Sequence, residues 1–343
     1  MIPIRNIYYM LSYAFSVLNK QGYRELATES FKNAAELCAA ILHIGISHQI
    51  KRGLGRNYIT ETESVSSLRG KIDLSQSIKT QSILKNQMVC QYDDFSVNTY
   101  MNRILKTTMM LLMHADISRI RKKELRKVLV YFDAVDGLDV RSINWNLQFN
   151  RNNHTYSMLV SICYLVVKGL LQTQSDGKTR LMEFDDEKNM ARLYEKFILE
   201  YYRKEHPYLD VCSSRIMWQL DDDMNAMLPI MQTDIMLSKD EKILIIEAKY
   251  YARITRSRFE TKTLHSNNLY QLFAYVKNKE AELCGRPHEV SGMLLYARTD
   301  EEILPDYDYR MSGNKISVRT LDLGCSFEKI KAQLDSIAYD YFS

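Results

Sequence analysis

Residues 231–251, MQTDIMLSKDEKILIIEAKYY, carry Asp234, then Glu247 and, two positions later, Lys249. The text reads as two strands joined by a tight charged turn at 239–241, with Asp234 on the first strand and Glu247 and Lys249 on the second. Period-two alternation points Glu247 and Lys249 to the same face. Around them Ile243, Leu244, Ile245, Ile246 and Ala248 make the near-continuous apolar run of a central strand, where a charge is costly unless it is paired or ligates a metal. Asp234 and Glu247 are therefore candidate Mg²⁺ ligands, with a backbone carbonyl between them. Lys249 is a candidate for orienting, or helping to deprotonate, a water that attacks phosphorus. An E-x-K pair at a strand end is also among the commonest patterns in proteins, and taken alone the plain ion pair is the better reading.

The elements around the pair change that balance. A helix is expected over about 186–203, strands over 215–220 and 231–238 flanking an acidic turn at 221–225, and the strand 242–249. A charged loop, a helix over 268–279, strands at 292–297 and 316–323 and a closing helix over 327–341 follow. This αβββαβ order with additions predicts a three-layer α/β or α+β domain. Upstream, apolar spacing predicts helices over 6–18, 31–50, 99–130 and 158–171, with short strands or hairpins in the polar stretch 57–95. The polar segment 172–180, QTQSDGKTR, is the expected linker, dividing the chain into an N-terminal partner-docking domain, 1–175, and a C-terminal domain, 176–343.

An acid on the preceding strand, E-x-K on a hydrophobic strand, a helix before with Glu195 and a helix after with Gln271 together form the arrangement of the PD-(D/E)xK nucleases. IPIRNIYYMLSYA (2–14), NTYMNRILK (98–106), LYEKFILEYYR (193–203), TDI (233–235), KILIIEAKYY (242–251) and HSNNLYQLFAY (265–275) also resemble the McrC family. These segments come in matching order over nearly the whole chain. McrC is the nuclease subunit of the McrBC restriction system, which cuts DNA carrying 5-methylcytosine. The resemblance implies Asp234 and Glu247 as metal ligands for Mg²⁺, Lys249 as the catalytic lysine, Glu195 as an accessory acid, and Gln271 with Tyr275 as the Q-x-x-x-Y helix of RecB-type nucleases. It also implies an N-terminal domain that docks into an AAA+ GTPase hexamer resembling McrB and stimulates its hydrolysis. Thr233 stands where the motif has a nominal Pro, and Glu247 where McrC-type sequences often have Asp.

Several of these residues have a plainer reading beside the functional one. Glu195 lies on an amphipathic helix with Met190, Leu193, Phe197 and Ile198 on its apolar side, so it is a surface carboxylate or a group at the metal. Gln271 and Tyr275, at i and i+4, present an amide and a phenol from one helix face to a phosphate or to the lysine. His265 contacts DNA, donates a proton to the leaving oxygen, or caps the following helix. Arg253, Arg256, Arg258 and Lys262 follow the strand directly and form a phosphate clamp or a merely exposed basic loop. The stretch RIRKKELRK, 119–127, is more often a solvated helix face than a surface for phosphate or a partner.

The 343 residues suggest about two domains, and 12 glycines and 5 prolines exclude a collagen-like repeat. With 46 basic and 42 acidic residues the net charge is only +4, so the sign of any partner must be argued locally. Six scattered cysteines without a C-x-x-C pair exclude a zinc knot and fit a reducing compartment. No G-x-x-x-x-G-K-[ST] is present, so nucleotide hydrolysis must come from another chain. No apolar run is long enough to span a bilayer and no secretory signal is recognisable, which makes the expectation a soluble, cytoplasmic protein without a membrane partner. The expected function is a Mg²⁺-dependent endonuclease subunit acting on double-stranded DNA. The alternatives are a nuclease component of a system that recognises a short unmodified site, and a non-catalytic assembly factor that keeps the nuclease fold as a scaffold.

Overall fold

The computed structural model describes residues 2–19, 23, 25–26, 29–149, 154–175, 187–222, 224, 226–251, 255–258, 261–299, 301 and 304–343. They form two compact units of mixed helix and sheet, one of 1–29 with 184–343 and the other of 30–183. The first helix, α1 (Ile4–Ala14), therefore belongs with the C-terminal half, whereas the sequence reading placed it in a domain 1–175. The cause is burial: Ile7, Met10, Leu11 and Ala14 make an apolar face that is buried within that unit. Tyr9 stacks on Phe327 at 4.4 Å, and Asn6 donates through Nδ2 to the carbonyls of Leu323 and Cys325, both at 2.8 Å.

The second unit holds α2 (Ala34–Arg52), β1 (Asn57–Val65), β2 (Lys71–Ile72), α3 (Leu74–Lys79), β3 (Met88–Ser96), α4 (Tyr100–His114), α5 (Arg119–Leu129) and α6 (His154–Ser175). The single helix expected over 99–130 is two, because the chain leaves α4 at Ala115 and restarts at Ser118, whose side chain accepts from the Arg121 amide as the N-cap of α5. The expected linker begins inside α6, which runs to Ser175, and its remainder, 176–180, lies outside the described residues. The three strands pair antiparallel in the order β1-β3-β2. Asn102, fully buried, pins the base of the β1–β3 ribbon, where β1 begins and β3 ends, by donating to the carbonyls of Gly55 (2.9 Å) and Val97 (2.8 Å), and its own oxygen accepts from Tyr156 (2.8 Å).

The first unit continues with α7 (Glu187–Glu205), β4 (Asp210–Cys212), β5 (Arg215–Ile216), β6 (Met231–Gln232), β7 (Ile235–Lys239), β8 (Lys242–Lys249), β9 (Thr255–Arg258), β10 (Thr261–Leu264), α8 (Ser266–Glu282), β11 (Glu289–Ala297), β12 (Tyr307–Met311), β13 (Asn314–Leu321) and α9 (Phe327–Phe342). Six of these strands form one sheet in the order β12-β13-β11-β8-β7-β4. β11 runs parallel to both β8 and β13, and the other pairs are antiparallel. β8 takes an interior place because its apolar run has residues to bury on both faces. Leu272, Tyr275 and Val276 of α8 pack with Ile245 of β8 and Leu294 of β11. That approach is possible because residue 292 is glycine: a Cβ there would lie 2.8 Å from Val276 Cγ2 and 3.0 Å from Leu272 Cγ. Two expectations are corrected. The strand expected over 231–238 is broken at Thr233 and Asp234, and the strand expected over 215–220 is only β5, with β4 ahead of it unforeseen. No helix among the described residues is long and apolar enough to cross a membrane, and all six cysteines are free thiols.

Candidate active site

The β7–β8 register pairs Ile235 with Ile246, so Asp234, in the bend just before β7, comes opposite Glu247. Two carboxylates facing each other across a strand pair repel, and the chain answers with Lys249. Its Nζ donates to Glu247 Oε2 at 2.7 Å and to Asp234 Oδ2 at 3.4 Å. The backbone contributes two further donors: the Ala248 amide to Asp234 Oδ2 at 3.0 Å and the Asp234 amide to Glu247 Oε1 at 3.3 Å. The sequence reading brought these three side chains together, and the structure places Lys249 within hydrogen-bonding distance of both carboxylates.

The setting is strongly desolvated. Glu247 is 0% exposed, and burial first, then the Asp234 charge, push its carboxyl above the usual range against the pull of Lys249. For Lys249 burial alone would lower the pKa, but Glu247 and Asp234 outweigh it and hold the ammonium above its ordinary value. As arranged here Lys249 is a cation between two carboxylates, a geometry suited to charge compensation. Glu195 on α7 is half-buried, its carboxyl pushed up to about 7 by burial and then by Asp234, with Lys249 and Arg192 opposing. It therefore shares the field of the site. Among the described residues no three His, Cys, Asp or Glu side chains are grouped closely enough to hold a metal, so Glu195 does not complete a three-acid cage with Asp234 and Glu247.

The donor set nevertheless suits a hard divalent cation. Asp234 and Glu247 offer carboxylate oxygens, the preferred ligands of Mg²⁺. The carboxyls of Glu247 and the half-buried Glu195 are both pushed toward the neutral form, by burial first and then by the Asp234 charge, with Lys249 opposing. Thr233 explains why the motif's nominal proline is dispensable. It is 1% exposed, its amide donates to the Ser214 carbonyl at 3.0 Å, and its hydroxyl accepts from the Ser214 amide at 3.0 Å. A proline could make neither bond, so here the bend carrying Asp234 is fixed by hydrogen bonds to the 213–214 segment.

The other sequence candidates are more dispersed. Gln271, on α8, donates to the Tyr275 hydroxyl at 3.0 Å, and no hydrogen bond among the described residues joins it to Asp234, Glu247 or Lys249. The Tyr275 ring lies in the core at 7% exposure, so the DNA contact suggested for it is reduced to whatever its hydroxyl reaches. His265 is the N-cap residue of α8 through its backbone, with no side-chain capping bond, and its ring stacks on Tyr251 at 5.1 Å. Arg256 and Arg258 lie on β9 and Lys262 on β10, the strands of an antiparallel hairpin within the expected loop, while Arg253 lies outside the described residues.

Three residues beside the lysine were missed. Tyr296 of β11 is the register partner of Lys249, and it accepts from Asn268 Nδ2 at 3.1 Å, while Asn268 Oδ1 accepts from Tyr251 at 3.2 Å. This Tyr251–Asn268–Tyr296 chain ties α8 to the strands that carry the site. Its only signal in the sequence is that Tyr251 and Asn268 lie within the segments KILIIEAKYY and HSNNLYQLFAY, because no spacing rule links them.

The sequence model of the family described as McrBC 5-methylcytosine restriction system component matches residues 4–297. The Type IV methyl-directed restriction enzyme EcoKMcrBC of Escherichia coli (strain K12) is 30% identical over 346 residues, which covers 99% of this chain and 98% of that protein. Among solved structures, a half-complex from a tetradecameric assembly of Thermococcus gammatolerans McrB AAA+ hexamers with bound McrC contains a chain that superposes with a TM-score of 0.49 at 16% identity, covering 98% of this chain and 76% of that one. The Thermococcus gammatolerans McrBC complex gives 0.42 at 18%, covering 59% and 58%. With the family's pattern running through α1, the hairpin unit and the Asp234–Glu247–Lys249 strands to the end of β11, and a relative aligned nearly end to end, this chain belongs to the McrBC 5-methylcytosine restriction system component family.

Proposed function

We propose that this chain is the Mg²⁺-dependent endonuclease subunit of its restriction system, hydrolysing phosphodiester bonds in double-stranded DNA that contains 5-methylcytosine. The observation that carries the reading is a fully buried glutamate, Glu247, facing Asp234 across two strands with Lys249 hydrogen-bonded to both. A carboxylate is costly to bury, and here it shares its lysine with a second carboxylate, which favours a further cation at the site.

In this reading Asp234 and Glu247 hold the metal, which when bound supplies charge compensation for the phosphate and acidifies water. Lys249 keeps its proton, orients the attacking water and offsets the negative charge that develops on the phosphate. Glu195 shares the field of Asp234 and Lys249 and acts on the site through the charge of its carboxyl. The amides of Asp234 and Ala248 hold the two carboxylates in register, so their positions are fixed before substrate arrives.

The partner in this proposal is a GTP-hydrolysing AAA+ hexamer like the McrB of the archaeal assemblies, and a cytoplasmic location follows from the DNA substrate. The β1–β3 hairpin region is the docking element. Leu68, Leu74, Ile78 and Leu84 are each about 60% exposed or more, an apolar group that a lone soluble domain does not ordinarily leave in water. The experiment is cleavage of a methylated plasmid with partner, GTP and Mg²⁺, in parallel for the parent and for Asp234→Ala. Loss of cleavage with partner binding retained supports the assignment, and normal cleavage by Asp234→Ala sinks it.

A further inference from the structure

The helix α5, Arg119–Leu129, carries six basic residues and one acid. Its buried side is Leu125 and Val128, and the four exposed cations, Arg119, Lys123, Arg126 and Lys127, fall at i, i+4, i+7 and i+8 on the opposite side. Glu124 does not neutralise them, because its carboxylate is 2.8 Å from Arg121 Nη1 and 3.9 Å from His43 Nδ1. Among the described residues none of the four exposed cations has an ion-pair partner. The arrangement also works against the helix itself. The first turn has no acid and contains Arg119 and Arg121 at the positive end of the helix dipole, and like charges recur at i, i+4 along the strip. Exposed Ile120, Val130 and Tyr131 border it. Arg126 and Lys127 in the last turn suit the negative end of the dipole, but Arg119 in the first turn and the like-charge pairs Arg119–Lys123 and Lys123–Lys127 do not, and a dense polyanion outside the helix accounts for all four.

We propose that the exposed face of α5 is a sequence-independent binding surface for the phosphate backbone of double-stranded DNA, separate from the Asp234–Glu247–Lys249 site. The proposal rests on the endonuclease reading only for the choice of DNA as the polyanion. An unpaired row of four cations spanning nine residues, roughly 12 Å of helix at about 1.5 Å per residue, faces a ligand that carries about one charge per 1.7 Å of its axis. Such contacts position the duplex and read no bases. Charge complementarity favours DNA over a protein partner, whose surface would need an equally dense row of acids.

The test is fluorescence anisotropy of the full chain with a labelled, unmethylated duplex in EDTA, where binding is read without hydrolysis, over a series of KCl concentrations. The parent is compared with Arg119→Gln/Lys123→Gln/Arg126→Gln/Lys127→Gln and with the milder Lys123→Gln/Lys127→Gln. Glutamine keeps helix propensity, and circular dichroism checks the fold. The slope of log affinity against log salt should shrink by about 0.9 for each phosphate that is no longer neutralised, hence by about 2 to 4 in the fourfold variant and by about half of that in the double, with affinity at 100 mM KCl falling at least about tenfold. An unchanged slope in the folded fourfold variant overturns the proposal, as does a parent that shows no salt-dependent binding. Unchanged DNA binding with weakened binding of the AAA+ partner also overturns it and assigns the strip to protein docking. Because the readout is binding in EDTA, it does not depend on cleavage, which separates this test from that of the active site.

Discussion

Replacing Lys249 with methionine removes the one cation between two facing carboxylates. At an effective dielectric near 20, the attractions at the observed 2.7 and 3.4 Å amount to about 6 and 5 kcal/mol before desolvation. Most of this is offset by the cost of burying the lysine, and removing one partner of a buried pair costs about 3–5 kcal/mol. Glu247 limits the loss because it can take up a proton. Holding a carboxyl of ordinary pKa neutral at pH 7.5 costs about 4 kcal/mol relative to the unfolded chain, and about 1.5 at pH 5.5. The sign follows from a carboxyl whose folded pKa is raised: the folded state binds more protons, so the deficit of Lys249→Met grows as pH rises above the unfolded pKa and shrinks toward acid. In EDTA at pH 7.5 the expected loss is about 3 kcal/mol, a fall in Tm of roughly 6–12 °C for a unit of this size. Adding Glu247→Gln should recover most of it, because the uncompensated buried charge is then gone. Thermal unfolding of the parent, both single variants and the double, at pH 5.5 and 7.5, measures this. A Lys249→Met protein within about 2 °C of the parent at pH 7.5, or a double variant no better than the single, would refute the electrostatic account of the site.

Thr233→Pro, which restores the motif's nominal residue, should lower stability by about 1–3 kcal/mol in urea denaturation because the bonds to Ser214 are lost; an equal or higher midpoint contradicts the role given to that bend. Gly292→Ala should cost about 1–3 kcal/mol by forcing α8 off β11, and a neutral result would show that Val276 and Leu272 can move aside. A fragment 184–343 should be markedly less stable than the same fragment fused to 1–29, since each large apolar side chain of α1 left unburied forfeits about 1.5–3 kcal/mol. Identical melting of the two fragments would mean that α1 contributes nothing to that unit.

What the sequence determined by itself was local. The apolar run 243–246 dictates an interior strand, period two then puts Glu247 and Lys249 on one face, and the charged turn 239–241 sends the chain back antiparallel, so the paired strands of the site were legible from side-chain alternation. The helices around them followed from 3.6-residue spacing, to within a few residues at their ends. Tertiary structure decided whatever depends on which surfaces meet. That Asp234 lies opposite Glu247 is a matter of register. That α1 joins the C-terminal unit comes from burial against residues more than 180 positions away. The Tyr251–Asn268–Tyr296 chain arises because β11 pairs parallel with β8 while α8 packs on both, which no spacing within one segment encodes. The exposed apolar residues of the hairpin and the unpaired cations of α5 were visible as letters, but only the folded chain shows what each side chain can reach, and so which apolar groups stay in water and which charges find a partner.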